Sequence, residues 1–192
     1  MPIHVGTFNT LEFAQMTLKK ALSALAIIAM TCTFASAVDQ VLTVTVLTTV
    51  EVTAPAAATL AKPEKTDANV LFDDTTWSVI ANDIDGLDIT FAAAPFLTTQ
   101  GAETNKRDTK LDLSISSQIG YSGSTSFWSV GTASHQTDYN NATPVNTATV
   151  TATSTNAANA VFLLDVTFIS GTYGTYASGT YTTTVTATIA GK

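Results

Sequence analysis

From residue 38 onward, apolar and polar side chains alternate along most of the chain. In the first such stretch Leu42, Val44, Val46, Val50 and Val52 share one face, with Thr48 among them. Thr43, Thr45, Thr49 and Glu51 supply most of the other face. A period of two places successive side chains on opposite faces of a strand, and the length predicts two strands or one that bends near Thr48-Thr49. β-branched residues suit such a pleated surface. Pro55-Ala56-Ala57-Ala58 and Lys62-Pro63-Glu64-Lys65 then break the run and predict a surface connection.

A short strand is predicted at Thr76-Trp77-Ser78-Val79-Ile80, followed by a turn around Asn82-Asp83-Ile84-Asp85-Gly86. Leu87, Ile89 and Phe91 alternate with Asp88 and Thr90. The polar stretch 100–108 suits an exposed loop or hairpin connection. Leu111, Leu113, Ile115 and Ile119 form the clearest one-sided strand, with Asp112, Ser114, Ser116 and Gln118 near or between them. Phe127-Trp128-Ser129-Val130 predicts a short strand, and Ala148, Val150 and Ala152 alternate with threonines. Phe162, Leu164, Val166 and Phe168 make a dense apolar face, whose reverse is interrupted by Asp165. The last strand is predicted over 181–189, with Val185, Ala187 and Ile189 inward. The expected core is Leu111, Leu113, Ile115, Phe162, Leu164, Val166, Phe168, Val185, Ala187 and Ile189. Seven to nine short strands with polar turns predict an all-β sandwich or barrel, and the sandwich is preferred because two one-sided sheets can bury their apolar faces together.

The N-terminal region has a different grammar. Lys19-Lys20 precede the apolar run 21–30, and Ala35-Ser36-Ala37 supply a small-residue cleavage site, the order of a secretory signal peptide. Crossing a bilayer needs about 20 predominantly apolar residues, so this run is short for a transmembrane helix. The expected organisation is an upstream extension at 1–15, a signal peptide at 16–37, a donor segment and first strand at 38–52, and the sandwich at 53–192. No stable transmembrane segment is expected after cleavage, and the mature protein is expected outside the cell or at its surface.

Cleavage leaves one domain's length of chain. It retains six basic and fourteen acidic side chains, a poor match to nucleic acid or an anionic membrane. The single cysteine, Cys32, falls in the leader, so no disulfide or cysteine metal site is expected in the mature domain.

Chemistry is sparsely signalled. Asp73, Asp74, Asp83, Asp85 and Asp88 invite a calcium reading, but no EF-hand ligand loop is present and turns favour the same residues. Ser134, His135 and Asp138 could be cast as a triad, but that requires geometry rather than nearness in sequence, and no nucleophile elbow frames the serine. His135 is the sole histidine after residue 37. The chain is therefore expected to be no enzyme and to use no cofactor. Trp77, Trp128, Tyr121, Tyr139, Tyr173 and Tyr176 admit two readings, a carbohydrate platform or core filling. Asn141-Ala142-Thr143 satisfies the glycosylation pattern.

The start Val38-Asp39-Gln40-Val41-Leu42-Thr43-Val44-Thr45-Val46 resembles the mature N-terminus of major pilins from the alpha class of chaperone–usher fimbriae, the disulfide-free colonisation-factor type. Gly179-Thr180-Tyr181, followed by Val185, Ala187 and Ile189, resembles that family's closing strand. The resemblance covers about thirty residues at the two ends. It implies an incomplete immunoglobulin-like sandwich completed by a strand from a neighbouring subunit. Leu42, Val44 and Val46 would be the donor positions, with Val50 and Val52 beginning the subunit's own fold. The implied partners are further copies in a homopolymer, a periplasmic chaperone and an outer-membrane usher. The departures are the 55–65 connection and the 120–141 loop, which leave open a monomeric secreted or envelope-associated sandwich with a binding function.

Overall fold

The computed structural model describes residues 42–62, 65–100, 103–120 and 127–192. The extension at 1–15, the leader at 16–37 and the first residues of the donor segment lie outside them, as does Tyr121. The chain divides between Thr45 and Val46, and every strand below belongs to the second part. Strands β1 to β6 span Val50–Thr53, Val70–Ala81, Leu87–Ala93, Phe96–Gln100, Glu103–Arg107 and Thr109–Gly120. Strands β7 to β11 span Trp128–Val130, Ser134–Gln136, Ala148–Ser154, Ala158–Phe168 and Val185–Gly191.

Two open antiparallel sheets form a β-sandwich. One has the order β1-β2-β10-β6-β8, the other β11-β3-β9-β7, and β4 and β5 pair as a separate hairpin. The expected face of β10 carries through, and that of β6 does so at Leu111 and Leu113. Ile119, by contrast, is 63% exposed, because the extra residue Ser116 shifts the register with β10 and turns the following side chains over. Leu111, Leu113, Phe162, Leu164, Val166 and Phe168 are all buried, and Ile89, Phe91 and Val150 meet them from the opposite sheet. Aromatic edges lock this contact: Phe91 lies 5.2 Å from Trp77 and 5.9 Å from Phe162, and Trp128 lies 5.3 Å from Phe162. Each such side chain contributes about 1.5–3 kcal/mol through its removal from water.

Several expectations are corrected. Ile115, Val185, Ala187 and Ile189 pack against the core but stay half-buried. For the last three the reason is position, since β11 is an edge strand with a neighbour on one side only. That strand also begins later than expected, because residues 181–184 form only an isolated bridge, from Thr182 to Leu97. The predicted strand at 76–80 is the end of the twelve-residue β2. Asp73-Asp74 lie inside that strand, where the register with β10 shifts between Leu164 and Val166. Asp74 takes a φ of 48°, and its N–H donates to Asp165 Oδ1 at 2.8 Å. The polar stretch near 100–108 contains β5 instead of only a loop, because pairing with β4 satisfies its backbone. Among the described residues of the first alternating stretch, only Val50–Thr53 is a strand.

Gly86 shows why the turn before β3 needs glycine. Its φ is +86°, and an added Cβ would lie 2.3 Å from the Ser154 carbonyl oxygen. Among the described residues, no helix is long and apolar enough to cross a membrane.

Candidate binding groove

A sandwich made of two open sheets has two lateral sides, each with one edge from either sheet. On the first, β7 and β8 leave one sheet and join the other within a few residues. Gly131 N–H donates to Thr151 O at 2.9 Å, Thr151 N–H donates to Thr132 O at 3.1 Å, and Leu113 N–H donates to Ala133 O at 2.7 Å. The connection is thus stitched to β9 in one sheet and β6 in the other.

The second side is finished differently. Strand β1 pairs with β2 only from Val50↔Ala81 to Thr53↔Ser78. No described strand pairs with residues 70–77 of β2 on that side. An apolar groove of about 830 Å³ runs beside this unpaired stretch. Val70, Phe72, Thr75 and Trp77 of β2 line it, with Phe96 of β4 and Val166 and Phe168 of β10. Residues 54–62 and 176–185, with Lys65 and Tyr173, supply the remaining walls. Phe72 stacks on Phe96 at 6.1 Å, Phe96 meets Phe168 edge-on at 5.2 Å, and Phe168 meets Tyr181 at 5.3 Å.

Charged groups hold these walls from outside. Arg107 Nη1 donates to Tyr139 Oη at 3.0 Å and Nη2 donates to Thr175 O, while the guanidinium lies 5.0 Å from the Tyr176 ring centroid. Lys62 Nζ donates to Thr66 O and Ala68 O at 2.8 and 2.9 Å and lies 5.5 Å from the same ring. Burial raises the pKa of the Tyr181 hydroxyl, with the Arg107 charge opposing the shift. Trp77 adds a different feature. Its indole Nε1–H is buried without a partner, whereas Trp128 Nε1–H donates to Ala158 O at 3.0 Å. An unmade hydrogen bond of this kind costs about 1–3 kcal/mol.

The donor positions named from the sequence are displayed to solvent: Leu42, Val44 and Val46 are 80%, 87% and 79% exposed. Leu47 beside them is exposed as well. The backbone is tied down immediately afterwards by Asn82. Its Oδ1 accepts from Thr49 N–H at 2.6 Å, its Nδ2 donates to Leu47 O at 2.9 Å, and its own N–H donates to Thr49 O at 3.2 Å.

The other candidates do not assemble as the sequence proposed. Asp73 and Asp74 come together with Asp165, and not with Asp83, Asp85 or Asp88. The charge of Asp74, then burial, then Asp165 raise the Asp73 pKa. His135 lies on β8, and its Nδ1 accepts from Thr149 N–H at 2.9 Å. Ser134 bonds to Asp112 instead, and Asp138 Oδ2 accepts from Asn141 Nδ2 at 2.9 Å. Burial pushes the Asp112 carboxyl up, but Lys110 and Ser134 outweigh it and leave its pKa lowered. Trp77 and Trp128 fill the core, and Tyr139 and Tyr176 are engaged with Arg107, so these four do not form an exposed platform. Sequence reasoning missed Val70, Phe72 and Phe96 as groove residues. The spacing of Val70 and Phe72 was the available signal, obscured by Asp73-Asp74 directly behind them. Compared with known proteins, the chain matches no family model and no curated protein.

Proposed function

We propose that this protein is a secreted structural subunit that polymerises by strand donation, each copy placing its N-terminal segment in the groove of the next. The observation that carries this reading is the pairing of an unfilled apolar groove with an exposed alternating apolar segment in the same chain. In this reading the domain is an incomplete immunoglobulin-like sandwich. Leu42, Val44 and Val46 enter the groove, and the backbone around them satisfies an open sheet edge.

The geometry of one subunit favours a chain of subunits. Asn82, which ties the root of the N-terminal segment, follows the last residue of β2, whereas the groove runs beside the first eight residues. Root and groove therefore lie toward opposite ends of one strand, and a head-to-tail contact that does not close gives a filament. Before assembly, a periplasmic chaperone would shield the groove, and an outer-membrane usher would exchange it for the next subunit. The surface fimbria is the expected destination.

The test is assembly in the native host. Intact protein should form filaments visible by electron microscopy and oligomers that survive SDS without boiling. Removing residues 38–46 should abolish both while leaving chaperone-bound subunits folded. Val44→Lys should do nearly the same, because it would carry an unpaired charge into an apolar slot. Intact protein that remains monomeric under conditions of surface assembly overturns the proposal and favours the monomeric binding sandwich.

A further inference from the structure

Strand donation leaves open which sheet the incoming strand joins. Two edges face the open side, β2 in one sheet and β11 in the other. Resting on the strand-donation reading, we infer that residues 38–46 of a second copy add to the free stretch of β2, in line with β1, rather than to β11.

Three observations separate the two edges. A strand added to a sheet forms a backbone ladder with one edge and places alternate side chains in pockets beside it. Those pockets lie along β2: Val70, Phe72, Thr75 and Trp77 line the groove, whereas Val185 alone does so from β11. The second observation is continuity. Pairing by β1 stops at Thr53↔Ser78, so the next unpaired position on β2 is residue 77. An occupant there extends an existing row of the five-stranded sheet. The third is fit. Eight residues of strand span about 26 Å and the nine-residue segment about 30 Å. The bulge at Asp73-Asp74 divides the ladder into a part beside 70–72 and a part beside 75–77.

Residues 54–61 are compatible with this arrangement. They line the groove, yet among the described residues they make no backbone hydrogen bond to either sheet. Five of the eight are alanine, so small side chains face the space that the incoming strand needs. No ladder has to break for that segment to shift outward.

Hydrogen–deuterium exchange tests the assignment. The full chain, kept dilute, is mixed with excess synthetic peptide of the sequence of residues 38–47, with binding followed separately by fluorescence anisotropy of the labelled peptide. Exchange of the outward-facing amides in residues 70–77 should slow about tenfold or more while β11 changes little. A peptide carrying Val44→Lys should produce neither binding nor protection. Binding with protection on Val185–Gly191 and none on 70–77 overturns the β2 assignment but leaves strand donation standing. Absence of binding at millimolar peptide overturns both.

Discussion

The two lateral sides of this sandwich begin with the same problem and solve it differently. Each presents a sheet edge whose unpaired N–H and C=O groups invite another strand. On the β7–β8 side, one short connection bonds to both sheets, through Thr151 and through Leu113, and ties the two terminal strands together within the chain. On the β1–β11 side, β1 covers only the last four residues of β2, and an apolar groove follows where it stops. The side chains repeat the contrast. Leu111 and Leu113, near the stitched side, are buried, whereas Val70, Phe72 and Val185 on the open side are half-buried. A fold that ties one pair of edge strands together internally can leave the other side for a partner without losing its core.

The comparison breaks most visibly at Leu111. Leu111→Ala should destabilise the protein by about 2–5 kcal/mol, read from urea unfolding, because it opens a cavity next to β8. Val70→Ala, the matching truncation on the open side, should cost about 1 kcal/mol in the unassembled subunit. Equal losses would mean that the open side is already packed as a finished core. Thr151→Val should lower stability by about 1 kcal/mol by removing the Oγ1 that accepts from Thr132 N–H at 3.0 Å. Faster amide exchange at Thr132 would tie that loss to the stitch.

Asn82→Ala should change global stability by less than about 1 kcal/mol, since its bonds are exposed to water. It should nevertheless speed exchange of the Thr49 amide, because it frees the root of the N-terminal segment. The smallest effects are those of pH, and they have opposite signs on the two sides. Asp73, on the open edge, has a raised folded pKa, so its ionised form is unfavourable at neutral pH and the penalty disappears as pH falls through that pKa. Asp112, beside β8, has a lowered folded pKa. Its stabilisation is present above the unfolded value and is lost as pH falls through the folded one. Unfolding between pH 7 and 3 should therefore show Asp73→Asn removing a gain on acidification and Asp112→Asn removing a loss.

The amino-acid pattern determines which faces of the central strands are buried. Phe162, Leu164, Val166 and Phe168 on β10, and Leu111 and Leu113 on β6, turn inward because successive side chains in a strand alternate. The same pattern marks Leu42, Val44 and Val46 as an apolar row. Local sequence fails where pairing outweighs pattern. Residues 103–107 have no apolar row, yet they become β5 because β4 lies opposite. Residues 42–46 have a strong one, yet belong to no strand of the subunit. Tertiary structure alone decides that β2 meets β10 about ninety residues away, bringing Asp73 and Asp74 to Asp165. It alone also gathers Val70, Phe72, Phe96 and Phe168 around one groove. Alternation fixes the direction of a side chain relative to its own strand, whereas an unpaired edge exists only once every other strand has taken its place.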